Sequence, residues 1–238
     1  MEDELANLSI LDAEEEAFQE DVVVIEQNFQ FSLVGCCLTD SVVNFSTLHN
    51  TMADLWYPIR GICITDIGNK CYLFQFFNEV DVQRVMAGTP WFFNIHLLLL
   101  HQIQKRENPS VLSLIYSEFW IQVHELPAGL MSEPMARQFS DFLGKFLHYN
   151  TSIPSSGNKN YMRIHVLLDV TAPLKRKKKI QVGGVLIVYG SFKYEKLSLF
   201  CFICGKLGHG ESYCPFRLRI DPSKIIFRWD LSIRAVPR

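Results

Sequence analysis

Ile62-Cys63-Ile64-Thr65-Asp66-Ile67 and Cys71-Tyr72-Leu73-Phe74-Gln75-Phe76-Phe77 flank the dipeptide Gly68-Asn69. Both flanks are rich in β-branched and aromatic residues, and Gly-Asn supplies the backbone freedom a tight turn needs, so the stretch reads as a β-hairpin. Upstream of it, Asn44 can cap a helix whose apolar positions Phe45, Leu48, Met52, Leu55 and Trp56 recur at helical spacing, with Pro58 closing it. Before that helix, Phe29, Phe31 and Leu33 lie on alternate positions and lead to Gly35, as in a strand. Downstream, Glu79–Ala87 places Val82, Val85 and Met86 on one helical face and stops at Gly88. Phe92–Ile103 then reads as one final strand. The hairpin thus sits between two helices, in the order β-α-β-β-α-β.

That order is the ferredoxin-like arrangement, which RNA-recognition domains share. In such a fold, aromatics on the third strand either line the core or stack on bases. Tyr72, Phe74 and Phe76 share one face of that strand, and Leu73, Gln75 and Phe77 the other. The sequence leaves open which face is core. A connector at Asn108-Pro109-Ser110 introduces a second block: Phe119–Leu126 as strand, Glu133–Tyr149 as helix with Pro134 in its first turn, and Tyr161–Val170 as half-buried strand. A hairpin signal at Gly183-Gly184 and a strand over Val185–Tyr194 complete a β-α-β-β unit. Repeats of fixed period are not evident in the sequence. The expected division is an acidic arm over 1–28, a ferredoxin-like domain over 29–107, a second α+β block with a basic loop over 108–199, a metal loop over 200–215 and a tail over 216–238.

The chain has 238 residues, nearly half of them apolar, enough for sizeable cores. Its net charge of −2 conceals a strong asymmetry. Residues 1–21 hold nine acids and no Lys or Arg, whereas residues 160–238 hold fifteen bases against five acids. A basic third of this kind is expected where one part of a protein meets phosphates. The longest apolar run, Ile95-His96-Leu97-Leu98-Leu99-Leu100, is far too short for a membrane span. The acidic start Met1-Glu2-Asp3-Glu4 lacks the features of a secretory signal, so an intracellular location, nucleus or cytoplasm, is expected, with no membrane partner. Cys36, Cys37, Cys63 and Cys71 lie in or beside strand-like segments and are expected to be small buried hydrophobes.

The other three cysteines form a motif, Cys201-x2-Cys204-x4-His209-x4-Cys214. Three thiolates and an imidazole are the ligand types that zinc takes in a tetrahedral site, and a full set of four leaves no open position for catalysis. One structural zinc ion is therefore expected. Because the body has apolar cores of its own, loss of the ion is expected to unfold residues 200–215 alone.

The segment Cys201-Phe202-Ile203-Cys204-Gly205-Lys206-Leu207-Gly208-His209 resembles the zinc knuckle of retroviral and retrotransposon nucleocapsid proteins. The resemblance implies that Phe202 stacks on an unpaired base and that Lys206 meets phosphate. A short metal-held loop that exposes a ring is physically suited to single strands, whose bases are free to stack. A broader resemblance covers residues 29–215. Leu73–Phe77, Gly88-Thr89-Pro90-Trp91, Phe119–Pro127, Phe192–Leu197 and the knuckle are similar to a plant domain of unknown function that precedes a CCHC knuckle in LINE-type retrotransposon proteins and in host proteins derived from them. It implies nucleic-acid binding with zinc and no enzymatic activity.

Lys175-Arg176-Lys177-Lys178-Lys179 is the densest positive run and reads as a phosphate contact, as a nuclear-import signal or as a solvated hairpin loop. The remaining histidines are scattered without a nucleophile signature, and no glycine-rich phosphate loop occurs. The chain is accordingly read as α+β, with a ferredoxin-like (RNA-recognition-like) N-terminal half, a β-α-β-β second block and a C-terminal CCHC zinc knuckle. The function expected is zinc-dependent binding of single-stranded nucleic acid, RNA favoured. A self-associating assembly or packaging protein and a protein-interaction module are the alternatives.

Overall fold

The computed structural model describes residues 29–151, 161–184 and 186–236. The acidic arm, the polar stretch after Asn150 and the first residue of the Val185–Tyr194 strand lie outside the described residues. The first unit comprises β1 (Ser32–Cys37), α1 (Phe45–Trp56), β2 (Ile62–Gly68), β3 (Cys71–Phe76), α2 (Glu79–Ala87), β4 (Trp91–Phe93) and β5 (His96–Gln102). Its strands are ordered β2-β3-β1-β5-β4, the ferredoxin-like order with one extra edge strand. Asn44 caps α1 by accepting from Thr47 N–H at 2.9 Å, and Asn78 caps α2 through Asp81 N–H. Leu48, Met52 and Trp56, one helical turn apart, are buried on Tyr72, Phe74 and Phe76. That face is therefore core, and these aromatics are not a stacking surface.

The expected strand Phe92–Ile103 is broken. Asn94 and Ile95 adopt φ of 46° and 65°, forming a two-residue turn between β4 and β5. An exposed Ile in a left-handed position gives no turn signal in sequence, so the apolar run reads straight through it. The four cysteines also diverge. Cys36 and Cys71 stand opposite one another on β1 and β3 and are joined by a disulfide, Cys63 is exposed, and only Cys37 is a buried hydrophobe. Pairing depends on strand register, which spacing alone does not reveal.

The second unit comprises β6 (Tyr116–His124), α3 (Glu133–Leu143), β7 (Lys145–Asn150), β8 (Tyr161–Asp169), β9 (Lys177–Val182) and β10 (Leu186–Tyr194), with sheet order β7-β8-β6-β10-β9. The two sheets share one plan. In each, the first strand is central, the next two pair beside it, and the last returns to its other edge. The expected helix Glu133–Tyr149 ends early, at Leu143. Gly144 passes so close to β8 that a side chain there would lie 2.2 Å from the Leu167 carbonyl oxygen. The chain then becomes β7, which is irregular between Phe146 and His148. This irregularity puts Phe146 and Tyr149, three residues apart, opposite the core residues Val166 and Ile164. Three-residue spacing on one face is also a helical signature, hence the misreading. The basic run is a second correction, because Lys177–Lys179 belong to the edge strand β9 and not to a loop.

No second helix covers the second sheet between β8 and β9. The knuckle and the tail occupy its core face instead. Phe200, Leu207 and Ile233 are 2, 5 and 3% exposed and share one core with Phe119, Ile164 and Phe192 of the sheet. Leu97 and Leu99 of β5 enter the same core. The tail is fixed by Ala235 N–H donating to Tyr194 C=O at 3.0 Å. The metal loop is thus an integral layer of the second unit. No helix of the described residues is long and apolar enough to cross a membrane.

Candidate metal centre

Cys201 and Cys204 lie in a turn in which Gly205 N–H donates to the Cys201 carbonyl at 2.8 Å and Cys201 N–H to the Lys206 carbonyl at 2.9 Å. The two N–H···O=C bonds fold the loop back on itself and aim both thiols inward. Gly205 has φ +74°, and a Cβ there would meet the Trp229 indole at 2.3 Å, so only glycine lets that ring lie against the loop. The indole is anchored by Nε1–H donating to the Leu174 carbonyl at 2.9 Å, and Leu174 N–H donates to the Gly205 carbonyl at the same distance.

The ligand atoms of Cys201, Cys204, His209 and Cys214 all lie within 4.8 Å of one another, with Cys204 Sγ 3.3 Å from His209 Nε2. The three cysteines are buried. Burial pushes the Cys201 thiol up to about 12 and raises Cys204 as well. At Cys214 burial also acts upward, but backbone N–H groups of Arg217 and Phe216 and the neighbouring thiols outweigh it and hold the group low. A bound cation would stabilise all three thiolates, and the compact four-donor set fits a closed, structural metal ion.

The predicted contact residues are dispersed around this centre. Phe202 packs inward, 4.6 Å from Phe200 and against the core. Its N–H donates to Glu211 Oε1, and its carbonyl accepts from Arg228 and Trp229 N–H. Lys206 is half-exposed, and its charge helps to hold Asp169 low, after the Thr171 hydrogen bonds that dominate there. Arg176 bonds the Arg228 carbonyl and reaches towards Trp229. Lys175 and Lys178 lie over Phe142 of α3 at 5.7 and 4.1 Å. Lys177 and Lys179 face the opposite side of the sheet, beside Ser191 and Tyr189. One sequence run therefore serves three surfaces.

Sequence reasoning missed the rings the metal loop does expose. Tyr213 and Phe216 bracket the last ligand and are 74 and 52% exposed. Arg217, Arg219, Lys224 and Arg228 follow on the exposed tail. The only signal was position, Tyr213-Cys214-Pro215-Phe216, with rings on both sides of a ligand.

Residues 25–111 match the family described as Domain of unknown function (DUF4283), and residues 168–216 match a zinc knuckle family. The chain carries a DUF4283 domain followed by a CCHC-type zinc knuckle. The second match begins well before Cys201 and takes in β9 and β10, in keeping with a knuckle built onto the sheet. An uncharacterized protein of Arabidopsis thaliana is 26% identical over 145 residues, 60% of this chain and 45% of that protein. The chain thus spans less than half the length of that relative. A crystal structure of the first two RRM domains of yeast poly(U) binding protein aligns with 57% of this chain and 81% of its own, at 12% identity and a TM-score of 0.25, too low to bear on the fold.

Proposed function

We propose that the protein is a non-enzymatic, zinc-dependent binder of single-stranded nucleic acid, with RNA favoured. The observation that carries this reading is the closed Cys201–Cys204–His209–Cys214 centre with exposed Tyr213 and Phe216 beside it and four cations on the adjoining tail. Zinc suits three thiolates and one imidazole, and a metal-held loop keeps nearby rings in place for stacking. Exposed rings beside cations favour strands with open bases, the form in which RNA is ordinarily read. The resemblance to knuckles of retrotransposon proteins supports the same reading.

The test is a titration of the zinc-loaded protein with labelled single-stranded RNA, single-stranded DNA and duplex of matched sequence. Binding of single strands over duplex, lost on chelation, is the expected result. Equal binding of all three, or binding indifferent to chelation, overturns the reading. A second reading, self-association, rests on Leu218, Ile226 and Phe227, which are exposed along the tail. An oligomer that persists without nucleic acid and dissolves on replacing these residues by Ser would favour it.

A further inference from the structure

The second sheet has one face in the apolar core and a second face on which Gln122 is buried under Arg163 and Glu195 while Tyr189 near the edge is exposed. Phe119, Ile121, Val123, Met162, Ile164, Val166, Phe192 and Tyr194 all point to the knuckle side. The opposite face of an antiparallel sheet is ordinarily a mixture of small polar and charged side chains. Here it is built of rings and cations. The register places Tyr161, His124, Ser191 and Lys177 in one row across β8, β6, β10 and β9. Arg163, Gln122 and Lys193 form the next row, and His148, His165 and Trp120 the one beyond. On the other flank of the first row, Tyr189 pairs with Lys179.

These rings are held in place. Trp120 stacks on His165 at 4.5 Å with an interplanar angle of 9°, and the Arg163 guanidinium lies 3.6 Å from the indole centroid. His124 stacks on Tyr161 at 4.9 Å. Arg163 is fixed in turn by Glu195, at 2.9 and 2.8 Å, and Gln122 bonds the same carboxylate. Tyr189 is 45% exposed, with the Lys177 ammonium 5.1 Å from its ring centroid. Three carboxylates border this face: Glu118 faces His165, Glu195 faces Arg163, and Glu125 accepts from Ser191 Oγ at 2.6 Å, while Lys177, Lys179 and Lys193 outline the β9–β10 side.

We propose that this open face is a second contact surface for single-stranded nucleic acid, with bases stacking from Tyr189 towards His124 and Tyr161 and phosphates drawn by Lys177, Lys179 and Lys193. The charge is complementary to a polyanion, and pre-ordered rings lose little further freedom when a base stacks on them. Side chains two residues apart on a strand are spaced by about 6.7 Å, within the reach of successive bases on an extended strand. The surface lies on the face of the sheet opposite the knuckle, so a strand long enough to pass around the β9 edge would meet both. The inference rests on the nucleic-acid reading given above, and its test separates the two.

Full-length zinc-loaded protein would be titrated with a labelled mixed-sequence single-stranded RNA, and the photo-crosslinked peptides mapped. Tyr189→Ala is exposed enough to leave the fold intact, and Lys177→Gln with Lys179→Gln is a second, ring-preserving variant. Losing one stack is expected to weaken binding by ~5-fold or more. Tyr189→Ala should do so without changing the salt dependence, the lysine variant should flatten it, and crosslinks should appear in β10 or β6. Wild-type binding with crosslinks confined to residues 200–230, and variants within twofold of wild type, would overturn this surface and leave the knuckle reading standing. Failure of the wild type to bind any single strand would remove both.

Discussion

Leu207→Ala tests whether the knuckle is a tethered module or part of the second unit's core. Leu207 sits inside the metal loop between Lys206 and Gly208, yet it is only 5% exposed and belongs to the same core as Phe119 and Phe192. Truncating a buried Leu costs roughly 2–5 kcal/mol, the spread reflecting how far the surroundings can collapse. Leu207 is carried by a loop, joined by a backbone bridge to Phe200, and a loop can relax into part of the space, so about 2–3 kcal/mol is expected. For a chain of this size that lowers Tm by roughly 4–12 °C. The measurement is a thermal melt followed by near-ultraviolet circular dichroism, to which Trp120 and the tyrosines of the sheet contribute together with Trp56, Trp91 and Trp229, in parallel with hydrogen exchange of the β6 and β8 amides and zinc content. The expected result is a lowered melt of the sheet with zinc still bound at saturating metal. A sheet melt within about 1 °C of wild type, in a range set by the same scaling, would show that the loop contributes nothing to the core.

Chelation should likewise lower the melt of the second sheet, by an amount that grows with free zinc as RT ln(1 + [Zn]/Kd), about 2.7 kcal/mol at a hundredfold excess over Kd; unchanged sheet stability would count against the integral knuckle. Phe202→Ala should cost roughly half of the 3–5 kcal/mol of a fully buried Phe, whereas Tyr213→Ala should leave Tm unchanged and weaken single-strand binding; paired melts and titrations would expose the reverse assignment. Gly205→Ala forces a side chain into a left-handed position at a cost of about 1–2 kcal/mol and into the Trp229 indole, so its cost and that of Trp229→Ala should sum to more than the cost of the double variant, as denaturant midpoints would reveal. Replacing Lys175, Arg176, Lys177, Lys178 and Lys179 by Gln should flatten the salt dependence of binding, whose slope is ~0.7 per phosphate contacted on single strands. Lys177→Gln with Lys179→Gln should account for most of that change, and an unaltered slope would mark the run as solvated.

The sequence by itself determined the local elements and the ligand set. Asn44 marks the helix start that the structure shows, and the hairpin read at Gly68-Asn69 forms one residue later, with Asn69 and Lys70 in the turn and Gly68 paired with Cys71, because caps and turns are set by a few adjacent backbone groups. The metal centre was legible for the same reason, since four donors within fourteen residues can only gather locally. Where spacing is ambiguous the sequence misled: Phe146 and Tyr149 stand opposite Val166 and Ile164 on an irregular strand, and the same three-residue spacing suits one face of a helix. What the tertiary structure decided depends on which residues meet across the chain. The Cys36–Cys71 bond requires the β1–β3 register. Phe202 turns inward because residues 228 and 229 return to bond its carbonyl. Lys177 and Lys179 part from Lys178 because neighbouring side chains of a strand point to opposite faces, and Arg176, just before the strand, turns to the Arg228 carbonyl of the tail. Trp120, His124, Tyr161 and Tyr189 come from three strands, and only the sheet order brings them into one surface.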